Sequence, residues 1–164
     1  QGLGHAARAL ELKPDCGPAH KWSGILLSAV SRYEGTTAQI KASFVIAEHF
    51  EHAIALTPTD ATSRHLLGVW CFEVAKLSWI EKKAAATLFA TPPHATFMQA
   101  HAHFLAAEEM EPDFYPKNKL MLALASLRVG RREEAVEWRA RCLQSEVRTP
   151  EDVATLKEAE KLKI

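Results

Sequence analysis

The sequence predicts an all-α protein, built as a right-handed stack of helix pairs. One observation is a short segment that recurs three times, as Ala9–Pro14, Ala53–Pro58 and Ala107–Pro112. In each copy, the apolar pattern of a helix ends at a proline. Proline cannot continue the hydrogen bonds of a helix, and it disfavours helical geometry at the residue before it. The repeat is therefore a helical repeat, and no strand is needed.

A second observation is the placement of small and large residues around these prolines. Phe50 lies three positions before the second of these segments, and Phe104 lies three positions before the third. Gly24 and Gly68 each lie ten positions after a proline. Small residues where two helices cross closely are typical of the tetratricopeptide pattern. We therefore expect a tetratricopeptide-like stack with close crossings at four small residues: Ala53, Gly68, Ala107 and Ala135.

The spacing of the prolines departs from that pattern. Pro14 and Pro58 lie 44 positions apart, and Pro58 and Pro112 lie 54 apart, whereas the plain repeat is about 34 residues. We expect two insertions, the first containing the turn-like stretch 33–37 and the second spanning 78–95. Thr149–Asp152 is typical of an N-cap with proline at the first helical position. It predicts a last helix that caps the stack.

The predicted helices cover residues 3–13, 18–32, 38–56, 61–90 with a break near Leu77, 96–110, 117–129, 132–145 and 150–162. The helix over 96–110 is expected to bury one stripe, formed by Phe97, Ala100, His101, Phe104, Ala107 and Glu108. We interpret residues 1–164 as one domain and as the C-terminal part of a longer protein. Preceding sequence is expected to cover the face of Ala6 and Leu10.

Composition excludes several classes of partner. The 20 basic and 20 acidic side chains give a formal net charge of zero, so no excess positive charge favours nucleic acid. The three cysteines lie far apart, which indicates neither a disulfide framework nor a zinc cluster. Residues 84–107 contain no Asp, Glu, Lys or Arg, but Pro92–Pro93 and three histidines argue against a transmembrane segment.

No catalytic pattern is present. His49 and His52 lie one turn apart beside Glu48 and Glu51, yet the sequence lacks the motifs of zinc and di-iron sites. It also has no nucleophile elbow and no glycine-rich phosphate loop. We therefore predict no catalytic residue, no metal and no cofactor.

The candidate site is the aromatic segment between Trp70 and Phe97. It is uncharged past Lys83 and falls largely within the second insertion. It predicts either core packing or a groove that receives a peptide helix or a lipid chain. In the groove interpretation, Trp70, Trp79, Phe89 and Phe97 supply the apolar surface, and Lys82 and Lys83 supply a basic rim. Trp79→Ala is then expected to weaken binding more than Lys82→Ala, since buried aromatic anchors outweigh rim charges.

A set of short strings resembles the regulator of microtubule dynamics family. They are His20-Lys21-Trp22, Tyr33-Glu34-Gly35, His65-Leu66-Leu67-Gly68 with Trp70-Cys71, Leu77-Ser78-Trp79, Leu88-Phe89-Ala90-Thr91-Pro92-Pro93, Ala107-Glu108-Glu109 and Phe114-Tyr115-Pro116-Lys117-Asn118. The resemblance implies a non-enzymatic, cytosol-facing helical-repeat domain. Some members associate with microtubules, and a membrane-anchored member tethers endoplasmic reticulum to mitochondria and handles phospholipid.

Three functions stay open at this point. As an interaction module, the domain would bind a protein partner such as tubulin, on microtubules in the cytoplasm. As a lipid-binding module, it would hold phospholipid at the cytosolic face of mitochondria or endoplasmic reticulum. As an enzyme, it would need a reactive site that the sequence does not show.

Overall fold

The structure is a computed structural model that describes residues 1–78, 83, 86, 87 and 93–164. Within these residues lie eight bounded α-helices and no strand. The helices are α1 Gly2–Leu12, α2 Gly17–Glu34, α3 Thr36–Leu56, α4 Ala61–Lys76, α5 Phe97–Met110, α6 Pro116–Arg128, α7 Arg132–Leu143 and α8 Pro150–Lys161. The predicted all-α class is confirmed.

The helices pack as successive antiparallel neighbours in three pairs. α2 packs on α3, α4 on α5 and α6 on α7, and each pair contacts the next through α3 with α4 and α5 with α6. At the ends of the stack, α1 packs on α2, and α8 packs on both α6 and α7. Helix α8 therefore caps the last pair, as the sequence predicts. Ala6 of α1 is buried, while Leu12 is 72% exposed.

Helices end in the same way at all three recurring segments. α1, α3 and α5 each stop two residues before the proline. The residue after each helix donates its N–H to the carbonyl of the alanine that begins the segment. These bonds run from Lys13 to Ala9 at 2.8 Å, from Thr57 to Ala53 at 2.8 Å and from Glu111 to Ala107 at 3.1 Å. The proline thus follows a helix that has already closed its last turn.

Capping boxes begin the fifth and the last helix. Thr149 accepts a hydrogen bond from the N–H of Asp152, whose side chain accepts from the N–H of Thr149. Thr96 and Gln99 form the same reciprocal pair at the start of α5. Each box satisfies two backbone donors that a helix otherwise leaves open. The N-cap predicted at Thr149 is confirmed.

The first insertion lengthens helices instead of forming a loop. α2 and α3 have 18 and 21 residues, and they meet at Gly35. That residue has φ 92°, a left-handed conformation that glycine adopts at little cost. The predicted turn at 33–37 is thus a single residue between two long helices.

The second insertion begins where α4 stops. α4 ends at Lys76, and Leu77 leaves helical geometry with φ −53° and ψ 129°. The predicted break near Leu77 therefore coincides with the end of a helix. Most of the predicted continuation to residue 90 falls outside the described residues.

Two glycines allow close crossings within the pairs. A Cβ atom on Gly24 would lie 2.5 Å from Cε1 of Phe50, and a Cβ atom on Gly68 would lie 2.7 Å from Cε1 of Phe104. The two pairs thus use the same glycine–phenylalanine contact. Ala53, Ala107 and Ala135 are each 1% exposed or less, in keeping with the expected positions of small residues.

We expect Gly24→Ala to lower the free energy of unfolding by about 1 to 3 kcal/mol, because the added methyl group overpacks against the Phe50 ring. Gly4→Ala on α1 is the matched control. Nothing lies within 4 Å of its added Cβ, so alanine there is expected to stabilise by roughly 0.5 to 1 kcal/mol. Urea unfolding of both variants measures the difference. Equal stabilities would contradict the close crossing.

A buried polar network joins α4, α5 and α6. His65 Nδ1 donates to Asn118 Oδ1 at 3.0 Å, and Asn118 Nδ2 donates to the carbonyl of Phe104 at 3.0 Å and to Glu108 at 2.9 Å. Asn118 is fully buried, and His65 and Glu108 are 5% and 8% exposed. Burial lowers the pKa of His65, so its neutral form is favoured. The network links the second and third pairs.

The predicted stripe of α5 is buried except at Phe97, which is only partly buried. Ala100, His101, Phe104, Ala107 and Glu108 are all among the buried residues of the helix. His101 donates from Nε2 to Glu134 of α7 at 2.6 Å. The polar members of the stripe are therefore paired, as buried polar groups must be.

Candidate functional site

An apolar groove of about 610 Å³ opens between α2, α3 and α4. We call it the α2–α4 groove. Its apolar lining, within the described part of the chain, consists of Ile25, Ile40, Ile46, Phe50, Leu66, Val69, Trp70, Val74, Leu77 and Pro93. Its volume lies in the range of small-molecule and peptide-anchor pockets.

Both departures from the plain repeat adjoin this groove. The C-terminal half of α2 and the N-terminal half of α3 form two sides, and these are the parts that lengthen the first pair. The third side is the C-terminal half of α4, which runs up to Leu77. The groove therefore lies where the chain differs from an unmodified repeat.

Trp70 is the aromatic residue of α4 in this lining. Its indole Nε1–H donates to the carbonyl of Ser43 at 2.9 Å and lies 3.0 Å from the Ser43 hydroxyl. These bonds tie α4 to α3. Because the only polar atom of the indole is already bonded, Trp70 can offer only its carbon surface to a ligand.

The groove has a polar rim of mixed charge. Among the described residues, Arg32 and Glu73 are its charged members, and Ser28, Ser31, Gln39 and Ser43 are its neutral polar ones. Glu73 is paired with Lys76 at 3.0 Å, and the hydroxyl of Ser31 donates to the carbonyl of Ser28 at 3.2 Å. The rim suits a ligand that is mainly apolar and only weakly charged.

The six predicted site residues have four different outcomes. Trp70 lines the groove. Phe97 is not among its described lining residues, since its ring packs edge-on against Phe72 at 5.2 Å with Arg128 over its face. Lys83 is exposed. Trp79, Lys82 and Phe89 lie outside the described residues, so their part in the site stays a prediction.

A polar cleft of about 710 Å³ between α6, α7 and α8 was not anticipated from the sequence. Lys119 is 3% exposed there, paired with Asp113 at 2.5 Å and bonded to Ser145 at 2.9 Å. The Lys119 hydrogen bond holds the pKa of Asp113 below its ordinary value. Asp113 has φ 62°. It follows Pro112 in the five-residue connection between α5 and α6, and this position is the sequence signal for the turn.

Several polar and charged side chains of the cleft are already paired with each other. Tyr115 donates its hydroxyl to Glu151 at 2.7 Å, and Arg148 pairs with Glu146 at 2.7 Å. Burial, together with Glu151, raises the pKa of Tyr115. A ligand there would have to replace existing pairs, which makes the α2–α4 groove the better candidate.

Two of the three cysteines are buried, and the described residues form no metal-binding cluster. No group of three or more His, Cys, Asp or Glu side chains among them is arranged to hold a metal ion. Burial raises the pKa of the Cys71 thiol to about 11 and also raises that of Cys142, so neither is a thiolate at neutral pH. Within the same part of the chain, no helix is long and apolar enough to span a bilayer.

Three consecutive helix pairs with recurrent glycine–phenylalanine crossings and a capping helix define a tetratricopeptide-type stack. Solved structures agree: the crystal structure of MamA aligns with a TM-score of 0.63 and 12% identity over 97% of this chain and 75% of that one. A thermophilic TPR protein of Thermus thermophilus aligns with a TM-score of 0.65 and 16% identity, over 98% of this chain and 72% of that one. These likenesses show the fold.

Sequence comparison identifies the family. The family model of regulator of microtubule dynamics protein 1-3 matches residues 1–163, and the chain belongs to this family. It is 41% identical over 162 residues to regulator of microtubule dynamics protein 1 of Mus musculus, covering 99% of this chain and 53% of that protein. It is 35% identical over 163 residues to protein 3 of Bos taurus, covering 99% of this chain and 35% of that protein. The chain thus spans about half the length of its protein 1 relatives.

Proposed function

We propose that this chain is a non-enzymatic interaction module that binds a protein partner in the α2–α4 groove. The observation that supports this most is the coincidence of the apolar groove with both departures from the plain repeat. Apolar grooves between helices are a common docking place for an apolar peptide face. A zero net charge fits binding by shape and apolar contact instead of long-range attraction.

Tubulin is the first partner to test. The relatives are named for regulating microtubule dynamics, and a microtubule-bound module would lie in the cytoplasm. Exposed basic residues around the groove and the stack, such as Arg32, Arg132 and Lys83, would face the acidic surface of tubulin. Their contribution is expected to be small, because exposed charge pairs are each worth about 1 kcal/mol or less.

We expect Val69→Asp to weaken binding to polymerised tubulin about 30-fold, because burying a carboxylate at an apolar contact costs roughly 2 kcal/mol or more. Val69 is half-buried and lines the groove. Val136→Asp, on α7 and 51% exposed, is the matched control. Co-sedimentation with a protein titration measures both affinities, and thermal melts establish that both variants are folded.

A gentler variant, Ile40→Ser on the opposite side of the groove, covers the case in which Val69→Asp unfolds. It is expected to weaken binding several-fold. If folded Val69→Asp and Ile40→Ser both sediment like the wild type, the groove is not the tubulin site.

A phospholipid-binding role, at the cytosolic face of mitochondria or endoplasmic reticulum, is the second candidate. It is favoured by the groove's mainly apolar lining, which also fits an acyl chain. Native mass spectrometry of the purified chain after incubation with phosphatidylcholine vesicles distinguishes the two. If Val69→Asp abolishes a lipid-sized adduct, and the wild-type chain does not sediment with microtubules, the ligand of the groove is lipid and not a protein partner.

A further inference from the structure

One histidine of α2 contacts two histidines of α3, away from the groove lining. The His20 ring of α2 stacks on His52 at a centroid distance of 4.9 Å and an angle of 16°. It meets His49 at 5.3 Å and 51°. His49 and His52 are one turn apart on α3. We call these residues the histidine cluster.

Hydrogen-bond partners assign the tautomer of each ring. His20 Nε2 lies 2.8 Å from the carbonyl oxygen of Pro14, and His52 Nδ1 lies 2.7 Å from that of Glu48. A carbonyl oxygen only accepts, so both nitrogens must be protonated. The other nitrogen of a neutral His20, Nδ1, then accepts from His49 Nδ1–H at 3.0 Å. All hydrogen bonds of the cluster are therefore made with three neutral rings.

Added protons disturb this arrangement. A proton on His20 Nδ1 keeps the bond to His49 only if the proton of His49 moves from Nδ1 to Nε2, whereas protons on both rings point two N–H groups at each other across 3.0 Å. A proton on His49 Nε2 keeps that bond but places a cation beside two other imidazoles. Burial, and then His20 and His52, lower the pKa of His49. Uptake of more than one proton therefore weakens the contact between α2 and α3 at this point.

The surrounding charges do not offset this effect. Glu48 on α3 raises the pKa of His49, but by less than burial lowers it. On α2, Lys21 follows His20 and is paired with Asp60, which precedes α4, at 2.9 Å. Lys13 and Asp15, which flank Pro14, are exposed and carry opposite charges. No element packed on the cluster supplies a buried carboxylate in the described chain.

We propose that the histidine cluster is a proton-sensitive contact, which holds the turn after α1 and the α2–α3 pair together at neutral pH and releases them in acid. Pro14 lies in the connection between α1 and α2, so the cluster joins this connection to α2 and α3. The proposal does not depend on what the groove binds.

The sign of the pH effect follows from the lowered pKa of His49. Well above the ordinary histidine value of 6.5, His49 is neutral in both the closed and open states, and the contact stabilises in full. As the pH falls from that value toward and through the lowered native pKa, the open state binds more protons and the stabilisation is lost.

Hydrogen exchange between about pH 7.5 and pH 5.5, corrected for the intrinsic rate, tests the proposal in the full chain. In the wild type, protection over residues 13–20 and 46–53 is expected to fall by roughly threefold or more relative to α7. His20→Gln removes the ring common to both contacts and should abolish this difference. His5→Gln, an exposed histidine on α1, should leave it unchanged.

The position of the lost protection distinguishes the effect of the histidine cluster from the effects of other histidines. Burial also lowers the pKa of His65 and His103, and their titration would reduce protection around α4 and α5. An acid-induced loss that is uniform along the chain, or that persists in folded His20→Gln, would overturn the proposal.

Nitrogen-15 NMR of the wild-type side chains keeps the test decisive if His20→Gln does not fold. Near pH 7.5 we expect the Nε2–H tautomer for His20 and the less common Nδ1–H tautomer for His49 and His52. Three Nε2–H tautomers at that pH would contradict the cluster geometry and the proposal with it.

Discussion

Replacing Phe104 with alanine is expected to lower the free energy of unfolding by about 3 to 5 kcal/mol. Phe104 is fully buried and packs on Gly68 and on the ring of His65, at a centroid distance of 5.5 Å. Gly68 has no side chain that could move into the space, so the cavity persists. The same helix contributes the carbonyl that accepts from Asn118. Packing and polar pairing would therefore weaken together.

Met98→Ala is the matched control on the same helix, because Met98 is 50% exposed. It is expected to change stability by less than about 1 kcal/mol. Urea unfolding monitored by circular dichroism gives both values. A loss below about 2 kcal/mol for Phe104→Ala would contradict a tightly packed crossing of α4 and α5.

Replacing Asn118 with alanine is expected to cost about 3 kcal/mol, since it leaves the buried His65 ring without its partner and removes one of the two donors to the buried Glu108 carboxylate. His65 would lose the acceptor of its Nδ1–H, and Glu108 would lose one of its two donors. Glu108 would retain only the backbone N–H of Asp113, at 3.0 Å. The carbonyl of Phe104 would also lose a donor.

Lys117→Ala, one position earlier on α6, is the control for this change. Lys117 pairs with Glu158 at 2.6 Å, but Glu158 is 53% exposed, so the pair is expected to contribute about 1 kcal/mol or less. Equal effects of the two substitutions, measured by the same unfolding experiment, would show that the network between α4 and α6 is not a major source of stability.

The pair architecture could be predicted because its signals are local. Pro14, Pro58 and Pro112 each act on the helix that precedes them, and Gly24 and Gly68 recur at the same distance after a proline. Such signals need no knowledge of distant contacts. The first insertion was harder to place, because a stretch that reads as a turn is compatible with two long helices once Gly35 supplies the left-handed residue.

The site could be predicted only in part, since its residues are brought together by packing between pairs. Trp70 was anticipated from its aromatic side chain, whereas Ile25 and Ile40 look like ordinary core residues until α2, α3 and α4 are assembled. Phe97 shares the aromatic character of Trp70, but it begins α5 and packs on Phe72. Lys119 looks like a surface cation in the sequence, and its partners Asp113 and Ser145 become visible only when the connections that carry them are assembled.

Hydroxyl-radical footprinting of the wild-type chain, with and without polymerised tubulin, tests the groove most directly. It reports the exposure of individual side chains and needs no substitution. If a partner occupies the α2–α4 groove, oxidation of Ile40, Val69 and Trp70 falls on addition of microtubules, while that of Met98 and Val136 does not change. Protection confined to the cleft around Tyr115 and Arg141, or binding without any protection in the groove, would contradict the account.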